Sequence, residues 1–171
     1  MFVDETSTAL NMTRRYARSP QGERAVGYVP RNYGHRTTLI AALTAVAMEA
    51  PMLLEGAVDT EAFVAYVREC LCPILRPGQI VIMDNLSSHT GPAVRALIEA
   101  AQCTLLFLPP YSPDFSPIEL AFAKIKELLR AAAARTQEAL DQALTNALDA
   151  ISAQDARSWF RHCGYQLPVS M

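Results

Sequence analysis

The chain is short of the devices that hold small proteins together by special chemistry. Its 171 residues include four cysteines, Cys70, Cys72, Cys103 and Cys163, too few and too scattered for a disulfide scaffold. No CxxC pair exists, which argues against a zinc ribbon or finger. Residues 1–8 have no basic n-region and no apolar h-region, so they do not read as a secretory signal. The longest apolar run, 39–48, is too short to span a bilayer. There is no internal repeat and no low-complexity linker. There is also no large charge excess: the net charge is −2, which excludes a wholesale basic nucleic-acid binder but leaves room for a local basic patch. A reduced, cytoplasmic setting is expected.

What is present is ordinary globular material. Hydrophobic residues make up 51% and charged residues 19%, enough for a sizeable core without staples. Charge is distributed unevenly. Residues 1–40 carry six Arg against three acids, 41–120 carry three Arg against nine acids, and 121–171 carry six basic residues against five acids. An acidic middle therefore lies between two parts that could face a polyanion.

Hydrophobic periodicity gives a coarse order of elements. A strand is expected over residues 1–8, a polar hairpin with loops over 14–34, a long strand over 37–48 and a short one over 52–55. Asp59 or Thr60 can cap a helix to about 75, with Phe63, Val67, Leu71 and Ile74 on one stripe. Buried strands follow at 79–83 and 103–108, with a helix at 92–101 between them. The stretch Pro109-Pro110-Tyr111-Ser112-Pro113 cannot be helical. Ser116 then opens a helix to about 134, and further helices are expected over 136–151 and 152–162. Strands first, then strand–helix alternation, predict a mixed sheet flanked by helices.

Three acids stand out by position. Asp4 lies in the apolar first strand, Asp84 follows Ile80-Val81-Ile82-Met83, and Glu119 opens the helix after the proline-rich connection. An acid at the end of a buried strand is costly unless it is paired, hydrogen-bonded or metal-bound. Clustered carboxylates without a His/Cys ligand set suit Mg²⁺ or Mn²⁺ and two-metal phosphoryl chemistry. Each acid also has an ordinary alternative. Asp84-Asn85 is common turn chemistry, Ser116-Pro117-Ile118-Glu119 fits a helix capping box, and Asp4 could be a surface acid.

Taken together, Val3-Asp4-Glu5-Thr6, then Ile80-Val81-Ile82-Met83-Asp84-Asn85 with His89, then Leu108-Pro109-Pro110-Tyr111-Ser112-Pro113-Asp114-Phe115-Ser116-Pro117-Ile118-Glu119, resemble the catalytic domain of bacterial DDE-type insertion-sequence transposases of the mariner superfamily. The stretches around Arg18-Ser19-Pro20 and Thr37–Leu43, and the ending Trp159–Tyr165, are similar as well. The resemblance implies an α/β, ribonuclease-H-like fold with a mixed five-stranded sheet, flanking helices and extra C-terminal helices. The catalytic domain would span 1–135 and a packed helical extension 136–171. It further implies that Asp4, Asp84 and Glu119 hold two Mg²⁺ (or Mn²⁺) ions, and that the domain cleaves DNA at element ends and transfers the strand to target DNA. Ser116 stands where the family usually has Asn, and Phe122 where Trp is common.

Relatives of this kind carry helix-turn-helix modules before the catalytic domain, and this chain starts three residues before the first acid. A separate or upstream-encoded helix-turn-helix partner is therefore expected; an inactive truncated remnant is the alternative. Pairing as a homodimer is compatible with either, and no membrane partner is expected. When DNA-bound, the protein would sit at the nucleoid. A Mg²⁺-dependent small-molecule phosphatase ranks last, because its Asp-x-Asp motif would need an acid where Thr6 stands. Arg14, Arg15 and Arg18, together with Lys126 and Arg130, are the candidate DNA contacts; His89, five residues after Asp84, is either a further DNA contact or a residue that supports the acids from behind, with a helix-entry residue as the ordinary alternative. Lys126 and Arg130 fall on the helical face of Glu119.

Overall fold

The structure is a computed structural model that describes residues 1–31, 34–110 and 112–167. Five strands, β1 (Phe2–Ala9), β2 (Arg36–Leu43), β3 (Met48–Glu55), β4 (Ile80–Met83) and β5 (Thr104–Phe107), form one mixed sheet in the order β3-β2-β1-β4-β5. β1 pairs antiparallel with β2 and β2 with β3, whereas β1–β4 and β4–β5 are parallel. Helices α1 (Thr60–Tyr66) and α2 (Pro92–Ala100) cover one face. Helices α3 (Pro117–Ala132), α4 (Gln137–Asp149) and α5 (Ala153–His162) cover the other. This is the expected ribonuclease-H-like arrangement.

The two-residue period of the strands sorts the core. Phe2, Leu39, Ala41 and Leu43 face α3–α5. Val3, Ile40 and Ala42 face α1 and α2 together with Val81, Met83 and Leu105. β2 is thus buried on both faces, which explains its unbroken apolar run. On α3, Ile118, Ala121, Phe122, Ile125 and Leu129 make a single buried stripe. The C-terminal helices belong to the same core. Phe2 meets Phe160 at a ring distance of 5.4 Å and Tyr165 at 5.1 Å, both edge-on.

Two expected elements differ. The long strand over 37–48 is two strands joined by a turn, in which the Thr44 N–H donates to the Ala47 carbonyl at 2.9 Å. No Gly, Asn or Pro marks that turn, so the apolar pattern ran through it. β3 is also longer than expected. Ala50 at φ 46° and the following Pro51 sit at a register shift opposite the β2 residues between Ile40 and Ala42. A proline is tolerated there because it lies at a bulge on an edge strand. In the expected hairpin over 14–34, no described residue is in a strand, and Asn32 and Tyr33 lie outside the described residues. β1 and β2 are instead the two arms of one wide connection. Arg135 secures its start by donating to the Leu10 and Met12 carbonyls at 2.8 and 3.0 Å.

α1 begins as expected, with the Asp59 carboxylate accepting from the Ala62 N–H at 2.8 Å. It then widens to a π turn at Val67–Leu71 and tightens to a 3₁₀ turn at Cys72–Ile74, where Pro73 ends it. The four cysteines are free. No helix among the described residues is long and apolar enough to cross a membrane.

α5 carries a complete capping box. Ser152 Oγ accepts from the Asp155 N–H, and Asp155 Oδ2 accepts from the Ser152 N–H at 3.0 Å. Lys124 of α3 donates to the same oxygen at 2.7 Å and to the Ala150 carbonyl at 3.0 Å. Lys124 and then Ser152 hold the Asp155 carboxyl down at about 2. A depressed carboxylate stabilises the fold above its ordinary titration range, and that contribution disappears as pH falls toward the folded value. The group is well solvated, so screening limits the effect, and Asp155→Asn should cost about 0.5 kcal/mol at pH 7. In denaturant melts, the gap from wild type should close between pH 4 and pH 2.

Candidate active site

The site forms where β1 and β4 lie side by side beneath the start of α3. Asp4 follows Phe2 on the α3 face of β1, and Asp84 continues the Ile82 side one residue beyond β4. Glu119 is the third residue of α3. The helix is placed by its buried stripe, which turns Ile118 into the core and leaves Glu119 exposed at the rim. Asp4, Asp84 and Glu119 line one open cavity of about 470 Å³, walled on the other side by Leu86, Pro109 and Pro110. Asn85 Nδ2 donates to the Leu108 carbonyl and so ties the loop after β4 to the end of β5.

The capping-box alternative for Glu119 does not form. Ser116 is the N-cap residue, but its side chain makes no capping hydrogen bond. Tyr111, part of the proline-rich motif, lies outside the described residues.

The electrostatics are strained by design of the backbone. Burial, with the nearby charges of Glu119, Glu5 and Asp84, pushes Asp4 up to about 7, against the pull of the Glu5 N–H on its Oδ1 at 2.8 Å. Asp84 moves the other way, mainly because His89 bonds to it. His89 Nδ1 lies 2.6 Å from Asp84 Oδ1, and Nε2 lies 2.8 Å from Glu5 Oε2. The ring is stacked on Phe63 at 4.2 Å. Burial alone would lower the imidazole, but hydrogen bonds to Asp84 and Glu5 outweigh it and hold it up at about 9. Both nitrogens then carry protons, as two carboxylate partners require.

The expected convergence on a shared cation pair is met only in part. The three carboxylates share the cavity, yet among the described residues no three His, Cys, Asp or Glu side chains are grouped as metal ligands. Like charges repel unless a cation lies between them, and Asp84 Oδ1 is turned to His89. In donor chemistry the set fits a hard divalent cation: three carboxylates at one cavity, with no sulfur donor.

The candidate DNA contacts separate into groups. Lys126 and Arg130 line a groove that starts at Glu119 and also takes in Arg15. A second groove, toward the end of β1, is lined by Arg15, Arg36, Lys126 and Arg130. Arg130 is paired with Glu127. Arg14 and Arg18 are exposed on the β1–β2 connection. Of the two readings of His89, the DNA contact is corrected: the residue has no exposed surface, so it presents nothing to DNA and instead joins Asp84 to Glu5. Sequence reasoning missed Glu5 as a site residue, because only the parallel placement of β1 and β4 brings it to a histidine 84 residues away.

An acid-lined cavity thus lies at the end of neighbouring parallel strands, with the third acid on a following helix. The chain belongs to the DDE superfamily endonuclease family, whose profile matches residues 1–141. No curated protein matches in sequence. Among solved structures, the Mos1 transposase paired-end complex with the left transposon end aligns at TM-score 0.71 and 20% identity, over 95% of this chain and 51% of that one. The Mos1 mariner paired-end complex with Mn aligns at 0.70 and 21%, over 95% and 51%. The catalytic domain of Mos1 mariner transposase aligns at 0.69 and 18%, over 95% and 76%. The chain thus spans about half the length of the transposases in those complexes.

Asp4 is the acid that the fold holds at a cost. Its folded value lies above its ordinary 3.8, so its own contribution to stability is greatest below about pH 4 and is lost as pH rises through about 7. In chelator, Asp4→Asn should raise stability by about 2 kcal/mol at pH 8. The gain should vanish toward pH 4 in denaturant melts.

Proposed function

We propose that the chain is the catalytic domain of an insertion-sequence transposase of mariner type, which cuts DNA strands at element ends and joins them to target DNA. The observation that supports this most is the meeting of Asp4, Asp84 and Glu119, from three distant segments, at one cavity in a DDE-family chain. Residues 1–135 would form the catalytic domain and 136–171 its helical extension.

Asp4, Asp84 and Glu119 would hold two Mg²⁺ or Mn²⁺ ions. When bound, such ions activate water and neutralise charge on a transferring phosphoryl group. The chain's own residues do the rest. Pro109, Pro110 and Leu86 give the cavity a stiff, apolar wall beside the acids. Arg15, Lys126 and Arg130 would hold the flanking phosphates and set the register of the strand. In the first step the oxygen of water forms the new bond to phosphorus and the 3′-oxygen leaves. In the second, that 3′-hydroxyl attacks a target phosphodiester and displaces another 3′-oxygen. No covalent protein intermediate is required, because positioning and charge supply the acceleration. DNA is the partner, with sequence recognition of element ends assigned to a helix-turn-helix part. Family membership leaves the phosphatase alternative without support.

A plasmid-nicking assay tests this reading. Nicking should require Mg²⁺ or Mn²⁺ and stop in chelator, and Asp84→Asn should abolish it while circular dichroism shows an intact fold. Full activity of Asp84→Asn would sink the mechanism. A wild type inactive under all metal conditions would favour the truncated-remnant alternative.

DNA affinity should be chiefly electrostatic. It should fall steeply with salt and vary little with sequence. Lys126→Ala should weaken it several-fold, and the slope of log affinity against log salt should decrease by about one. Fluorescence-anisotropy titrations over a salt series provide the check.

A further inference from the structure

β1 and β4 carry two of the three acids, yet their pairing stops before reaching them. The parallel register holds one pair, Phe2 with Ile82, and the Ile82 N–H donates to the Met1 carbonyl at 2.9 Å. In a parallel ladder, the next N–H of β1 to reach across would be that of Glu5, toward the Asp84 carbonyl. That N–H donates instead to Asp4 Oδ1. Backbone bonding between the two strands therefore ends before the acids do.

A side chain spans the gap. His89 bonds Asp84 through one ring nitrogen and Glu5 through the other, at 2.6 and 2.8 Å. Phe63 of α1 fixes the ring plane from the buried side, with centroids 4.2 Å apart. Asp84 Oδ1 also accepts from the Leu86 N–H at 3.0 Å, so both of its hydrogen bonds fall on one oxygen. Among the described residues Oδ2 has none and remains available at the cavity. Glu5 points to the α1 face and does not line the cavity, so it has no direct access to a substrate or ion there.

We infer that Glu5 and His89 are positioning residues: the His89 strut replaces the missing rung between β1 and β4 and sets the Asp84 carboxylate relative to Asp4. This rests on the reading of Asp4 and Asp84 as ligands of a divalent cation. A histidine anchored at both nitrogens restricts the rotation of Asp84 about its side-chain bonds. It also commits one oxygen, so the other is presented in a single direction. Outer partners of ligating carboxylates and histidines typically carry a 10- to 100-fold effect on metal affinity or activity.

The test uses the full chain and Mn²⁺ as the probe, with free Mn²⁺ followed by electron paramagnetic resonance. Glu5→Gln and His89→Asn should weaken Mn²⁺ binding about 10- to 100-fold. Their DNA affinity in chelator and their circular dichroism should match wild type, and raised Mn²⁺ should restore plasmid nicking. Loss of a merely structural contact would not be rescued by metal. Wild-type Mn²⁺ affinity in both variants, with Asp84→Asn clearly weakened, would overturn the positioning role alone. Unchanged Mn²⁺ affinity and nicking in Asp84→Asn would overturn the underlying ligand reading and this inference with it. Should His89→Asn fail to fold, Glu5→Gln decides, because it is nearly isosteric and its side chain is already 17% exposed.

Discussion

The parallel contact between β1 and β4 is the constraint from which the site follows. A single register pair, Phe2 with Ile82, puts a residue near the chain start beside one 80 positions later. The alternation of strand side chains then points Asp4 and Asp84 to the face covered by α3. Phe2 is the anchor of this contact. It is buried beneath Phe160 and Tyr165, so the C-terminal helix helps to fix the strand that carries the first acid. Slipping β1 by one residue would turn Asp4 into the opposite core and send Phe2 and Val3 each into a space shaped for the other.

Holding acids together in a partly buried cavity costs stability, and the surroundings show how that cost is divided. Asp4 takes the penalty directly, with its carboxyl pushed up to about 7. Asp84 is relieved by His89, whose own burial is offset by its two carboxylate partners. Glu119 stays exposed at the rim, where water screens it. The three acids thus sit in three environments, and the tension among them is of the kind functional sites retain. The groove along Lys126 and Arg130 continues from the acid end of α3 and takes in Glu119 and Glu127 as well.

Rigidity around the cavity comes from backbone chemistry. Pro109 and Pro110 restrict the chain leaving β5, Asn85 ties the β4 loop to Leu108, and Pro117 presets the first turn of α3. The helix itself is held by its apolar stripe and by the tie from Lys124 to the cap of α5. The wide β1–β2 connection contrasts with this. Its arginines are exposed, and Arg135 pins only its beginning. Stiff elements therefore carry the acids, and exposed arginines of the connection carry much of the positive charge.

The strands, the helix starts and the three acids could be read from the sequence because each leaves a local mark. Apolar alternation marks β1 and the runs of β4 and β5, Asp59 and Thr136 mark helix caps, and the proline-rich run fixes where α3 begins. Glu119, Lys126 and Arg130 shared a face by helical spacing alone. The turn at Thr44–Ala47 could not be read, because its residues carry no turn chemistry, and the first half of β3 was hidden by a proline that only an edge bulge accommodates. The place of His89 five residues after Asp84 left two readings open, a DNA contact or a support for the acids, and only tertiary structure chose between them. The part played by Glu5 depended on tertiary structure entirely, because a parallel neighbour is what brings its carboxylate to the second nitrogen of His89. The Ser116–Glu119 pattern fitted a capping box equally well by sequence, and only the packed helix showed that the cap does not form and the carboxylate faces the cavity. Local pattern specifies which residues can form an element, but the partner across the sheet decides what a polar side chain does, because a hydrogen bond or a repulsion exists only once both groups share a place.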